Sequence, residues 1–195
     1  MNQTVVFHIN YVHPLLASNT EYFHLSDCIK YQKEKIGKIH YVDFYDADTL
    51  TRVPQLNVPF KNLILSSTLI IDDHKVKDEV NKVSNTIFVA LKNSYKLLMQ
   101  QKNLKLWILE PVISLTHKKY LPEVNSFKAG VRAISSIVAL ELARKKINVN
   151  YLENCNHSPE LLNLLRWSEN QDLMYLTAQN LIINDNPKNS TNNRW

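Results

Sequence analysis

The chain has 195 residues, of which 45% are hydrophobic and 21% charged, the balance of a single globular core and not of a disordered or fibrous chain. No apolar run approaches the roughly 18 residues of a membrane helix. The formal charge of +5 comes from lysines interleaved with acids, whereas a nucleic-acid binder needs a concentrated basic stripe.

Thr4–Ile9 is β-branched and aromatic and reads as a buried strand. Tyr11–Asn19 is short and broken by Pro14. Glu21–Leu25 is a second strand, and Ser26 or Asp27 caps a helix that Gly37 stops. Ile39–Phe44 is a third strand, followed by a turn at Asp46–Asp48 with breaks at Pro54 and Pro59. Asn62–Leu65 is a fourth. Val83, Ile87, Leu91, Tyr95 and Leu98 recur at helical spacing within a helix over about 78–101. Lys105–Leu109 is a fifth strand, and a loop with Pro111 and Pro122 leads to a helix over about 126–145. A strand over 147–152, a helix over 158–166 opened by Ser158-Pro159-Glu160, and a strand Asn180–Ile183 complete one domain over 1–185. Residues 186–195 read as a frayed polar tail. The alternation predicts an α/β layered fold with a mainly parallel sheet.

Chemistry-bearing patterns are sparse. Two cysteines, Cys28 and Cys155, make no disulfide framework, and MNQTVVFHIN lacks a signal-peptide pattern. The expectation is a reduced, cytoplasmic location. The seven histidines show no metal-ligand spacing, so no metal is expected. Cys155 and His157 lie close together, but no third residue is evident to orient a nucleophile. Only two glycines occur, Gly37 and Gly130. A dinucleotide-binding α/β fold uses three in its first strand-to-helix turn, where the backbone must approach a pyrophosphate. This chain cannot build that turn in its usual form.

Five stretches in order carry a family resemblance: IHYVDFYDADTL, FKNLILSST, VSNTIFVALKNSYKLLM, VNSFKAGVRAISSIVALELARKKINVN and SPELLNLLRWSENQDLMYLTAQNLIIND. Together they resemble short-chain dehydrogenases/reductases, including 3-oxoacyl-carrier-protein reductases, along nearly the whole chain. The resemblance implies a Rossmann-like, doubly wound, mainly parallel sheet. The first helix and glycine loop would be reduced and the substrate lid nearly deleted. It places Asn85 at the family's structural and catalytic Asn, Lys128 at its catalytic Lys, and Asp43 where the adenine amino group is held. Leu65, Ser66, Ser67 and Thr68 replace an Asn-Asn-Ala-Gly. Val124 stands at the Tyr position and Pro111 at the Ser position, with Ser114 nearby.

Hydride transfer in that family needs a Tyr hydroxyl as general acid, a Lys that lowers its pKa and grips the nicotinamide ribose, and a Ser that orients the carbonyl. Val124 has no proton to give and Pro111 no hydroxyl. The resemblance therefore implies a degenerate domain with no catalytic residue, in which Asn85, Lys128 and Asp43 are relics and no cofactor is bound. In the family the helices near 83–101 and 126–145 form a four-helix dimer interface. Here they carry Phe88, Leu91, Tyr95, Leu98, Phe127, Val131, Ile134, Ile137 and Val138, a wider apolar band than one core-facing stripe requires.

The expected function is a noncatalytic subunit. Its partner would be a catalytically intact homologue, such as a ketoreductase of fatty-acid or polyketide-type acyl chain processing, in a heterodimer or heterotetramer. An acyl carrier protein is a further, acidic partner suited to the net charge. Two alternatives stay open: an NADPH-dependent ketoreductase with Tyr120 as a displaced acid, and a ligand-sensing regulatory protein using the vacated cofactor cleft. Neither nucleic acid nor membrane is expected as a partner.

Overall fold

The β-branched run Thr4–Ile9 forms β1, the strand around which the sheet is ordered. In the computed structural model, the described residues are 4–9, 22–23, 39–43, 60–71, 76–101, 103–115, 121–153, 160–169 and 176–183. Their remaining strands are β2 (Tyr22–Phe23), β3 (Ile39–Asp43), β4 (Asn62–Ile71), β5 (Lys105–Leu109), β6 (Val112–Leu115), β7 (Asn148–Glu153) and β8 (Asn180–Ile182). The helices are α1 (Val76–Gln100), α2 (Leu121–Ala143) and α3 (Glu160–Glu169). Predictions for the first helix, the glycine turn, the deleted lid and the tail lie outside the described residues.

Every strand pair is parallel, in the order β2-β3-β1-β4-β5-β7-β8, with β6 pairing β4 off that path. This is a Rossmann-like α/β fold, and the near-continuous burial along β4, β5 and β7, polar positions included, fits strands covered on both faces. The order differs from the usual dinucleotide-binding arrangement at one place. There the second strand lies beside the first; here β3 pairs β1 and β2 lies outside it. Strand order changes direction between β1 and β4, the switch point where such sheets place ligands.

One core holds the layers together. Trp107, Phe7, Ile64, Leu65 and Ile87 are among its fully buried side chains. α1 begins with Asp78 and Glu79, favourable charges for a helix N-terminus. Its buried positions include Val83, Ile87, Ala90, Leu91, Ser94, Leu97 and Leu98, and the Ser94 hydroxyl donates to the Ala90 carbonyl at 2.6 Å. α2 buries Val124, Phe127, Val131, Ser135, Ala139 and Leu142 along one face. It ends with Lys146 at φ 57°, the Lys146 amide donating to the Ala143 carbonyl at 3.0 Å and the Ile147 amide to Leu142 at 3.4 Å. That pair of bonds is a Schellman stop, built here on lysine in place of the usual glycine.

Two boundaries differ from the sequence prediction, both at prolines. α2 starts at Leu121, about five residues earlier than expected, because Pro122 and Glu123 suit a first helical turn instead of breaking it. The stretch after Pro111 is the strand β6 and not a loop. β4 is correspondingly longer than its predicted four residues and pairs first β5, then β6. Leu65 pairs Ile108 and Thr68 pairs Val112. Leu109, Glu110 and Pro111 therefore face only Ser66 and Ser67, a one-residue bulge in a parallel ladder. The Glu110 amide turns to the Leu152 carbonyl of β7 at 2.8 Å.

Candidate functional site

Lys128 lies in the second turn of α2 and faces the carboxyl end of β5. Its Nζ donates to Glu110 Oε1 at 2.6 Å, with the two side chains 34% and 14% exposed. One turn later, Arg132 pairs with Glu153, the last residue of β7. The Asn180 side-chain amide donates to the same Glu153 carboxylate at 2.8 Å, and the Arg132 guanidinium lies 5.7 Å from the centre of the buried Tyr151 ring. Lys128 and Arg132 are four residues apart and so share a helix face. Glu110 and Glu153 follow the buried segments of adjacent parallel strands. Two cations of one helix are thus clipped to two carboxylates across the sheet's carboxyl edge.

The Lys128 ammonium is thus engaged in a charge-assisted contact with a carboxylate. Val124, one turn before it, is 5% exposed and part of the core. Pro111 is buried in the bulge. Asn85 is exposed on α1. Asp43 ends β3 opposite His8. β3, which Asp43 ends, is the strand that pairs with β1. Tyr120 and the Ser114 side chain lie outside the described residues. Ser66 and Ser67 are fully buried beside the end of β1, and neither hydroxyl has a partner among the described residues. No group of three His, Cys, Asp or Glu side chains suited to a metal occurs among the described residues.

The second candidate surface is an open groove between α1 and α2. Phe88, Leu91, Tyr95, Leu98, Ile134, Ile137, Val138 and Leu142 supply its apolar lining, with Lys92 on one helix and Glu141 on the other. Phe88 and Ile137 are 59% and 60% exposed. Two residues predicted for this face do not reach it. Phe127 and Val131 point into the core, because the sheet takes the stripe that continues through Ser135, Ala139 and Leu142. Leu91 and Leu98 line the groove while being almost fully buried.

Glu110, Arg132 and Glu153 escaped the sequence reading. The signal was present: two buried β-type runs each end on a Glu, and α2 carries two cations four residues apart. Only the β5–β7 pairing shows that the two ends are neighbours.

No protein-family model matches the sequence, and no curated protein matches it. Solved structures do match the fold. Acetoin dehydrogenase from Enterobacter cloacae superposes with a TM-score of 0.63 at 12% identity, over 94% of this chain and 95% of that one. A 3-oxoacyl-[acyl-carrier protein] reductase from Brucella melitensis gives 0.60 at 12%, over 93% and 90%. A short-chain dehydrogenase/reductase from Brucella ovis, in complex with a partially ordered NAD, gives 0.61 at 11%, over 94% and 100%. These likenesses establish the fold. No described helix is long and apolar enough to cross a membrane.

Proposed function

We propose that this chain, with the fold of a short-chain dehydrogenase/reductase, is a noncatalytic subunit that supports a catalytically intact ketoreductase in acyl chain processing. The observation that carries the reading is the Lys128–Glu110 contact. The side chain that the resemblance places at the family's catalytic Lys is held by a carboxylate, beside a buried Val at the position of the acid. The exposed apolar groove between α1 and α2 supplies an assembly surface. The subunit would act by shaping or stabilising its partner, as a heterodimer or heterotetramer.

The test is mass measurement on the purified chain mixed with intact reductases from the same organism, with their turnover followed in parallel. A defined heteromer with altered reductase activity is the expected outcome. A chain that stays apart from every such reductase sinks the reading.

A second reading, nucleotide binding, is favoured by the Brucella ovis protein's complex with NAD and by the placement of Asp43 beside β1. Titration with NAD and NADPH, read by fluorescence, separates the two. Saturable binding in the micromolar range favours a nucleotide-using protein; its absence favours the noncatalytic subunit.

A further inference from the structure

The amino edge of the sheet gathers cations that the sequence scatters. β4, β5 and β7 begin level, with Asn62 beside Lys105 and Lys105 beside Asn148. The Lys105 amide donates to the Lys61 carbonyl at 2.8 Å, and the Asn148 amide to the Leu104 carbonyl at 3.0 Å. Lys61 therefore lies two strands from the turn at Arg144–Lys146, about 10 Å at the usual strand spacing and roughly one Debye length. α1 and α2 end at the same edge, and Lys96 stands one turn before the end of α1. Lys61, Lys96, Arg144, Lys145 and Lys146 are all exposed, and none has an ion pair among the described residues. At the opposite edge Lys128 and Arg132 are both paired. The helix dipole accounts for cations that follow α2, but not for Lys61, which precedes a strand. Nor does it account for Leu140, in the last turn of α2. That side chain is 73% exposed, the most exposed of the large hydrophobic residues described.

We infer that this edge docks on an anionic lipid surface, with Leu140 entering the headgroup boundary and the surrounding cations meeting anionic headgroups. An apolar anchor combined with a basic patch is the pair of signals that such surface binding uses. No described helix is long and apolar enough to cross a bilayer, so the contact is made at its surface. A partner helix would lay its apolar face in a groove, and Leu140 and all five cations lie outside the α1–α2 groove. Phosphate backbones would give Leu140 nothing to bury against. Glu141, the acid nearest in sequence, lines the groove. Docked in this way, the chain turns its carboxyl edge, with Lys128 and Glu110, away from the bilayer. The inference does not depend on a reductase partner, because it leaves the groove unused.

The experiment is cosedimentation of the full-length chain with vesicles of phosphatidylcholine alone and of phosphatidylcholine mixed with equal parts phosphatidylglycerol. Binding to the mixed vesicles only, lost at about 1 M salt where the Debye length falls to about 3 Å, is the expected result. Lys145→Glu reverses one charge at the edge and should weaken binding about 25-fold. Leu140→Ser should weaken it about tenfold. Lys82→Glu makes the same change in net charge about 27 Å from the end of α1, and should weaken binding less than about twofold. All three positions are exposed, so each variant should keep the Tm of the natural chain. The inference is overturned if neither vesicle binds, if both bind equally, or if Lys82→Glu weakens binding as much as Lys145→Glu. It is overturned in favour of a protein partner if purified acyl carrier protein, and not the vesicles, binds with the Lys145 dependence.

Discussion

Lys128 carries the proposed loss of chemistry through a single contact. Its ammonium is still presented at the sheet's carboxyl edge, but Glu110 meets it there. Restoring the missing hydroxyl alone should therefore fail. Val124→Tyr is expected to overpack a closed site, destabilising the chain by about 1–3 kcal/mol in urea unfolding, and to give no carbonyl reduction with NADPH. Measurable turnover by that variant would show that Glu110 does not hold Lys128 out of action. Lys146 offers a prediction of opposite sign. It occupies a left-handed position that glycine adopts without penalty, so Lys146→Gly should stabilise the chain by about 1 kcal/mol, read as a higher urea midpoint. At this scale the sequence was partly legible. Lys128, Val124 and Pro111 could be placed by motif, because the helix that follows them keeps its phrase. Their actual partners could not, because Glu110 and Glu153 become neighbours only through strand pairing between residues about forty positions apart in sequence.

Among elements, α2 has two faces of different character. Its inner stripe from Val124 to Leu142 is core, and its outer stripe through Ile137 is open. Sequence periodicity gave the helix and its excess apolar width but could not divide the stripes, which is why Phe127 and Val131 were assigned outward. A charge on the outer stripe separates the two faces by experiment. Ile137→Lys should leave the stability of the isolated chain within about 0.5 kcal/mol while eliminating binding to a reductase partner in sedimentation. A large loss of stability would mean that the groove is closed within the chain itself. Both prolines read as loop in the sequence. Pro111 sits in a bulge between two strands, and Pro122 sits in a first helical turn. Proline removes one donor and fixes one torsion, and whether that ends an element depends on whether the lost donor had a partner.

For the whole molecule, the parallel sheet matches structures of the same fold at only 11–12% identity. What persists is a pattern, buried β-branched and leucine-rich strands alternating with helices, which many side chains satisfy. That is why the described strands and helices were legible, β6 excepted. Strand order was not: nothing in the runs 22–23 and 39–43 states which of them lies against β1, and the choice rests on burial and crossover geometry. The placement of Asp43 changes with that choice.

The bulge at Leu109–Pro111 sets the phase of everything beyond it. Side chains alternate faces along a strand, so one extra residue inverts the in-and-out assignment of each residue that follows. β6 is out of phase with a simple continuation of β5, and Glu110 is the residue turned at the inversion. A single codon thus acts as a switch between two interleaved readings of one segment. Deleting Pro111 is expected to return Val112–Leu115 to the β5 phase and break the Lys128 contact. Circular dichroism should then report a folded chain with a lower urea midpoint, while any substitution at Pro111 that keeps the residue count leaves the phase, and Glu110's reach to Lys128, in place.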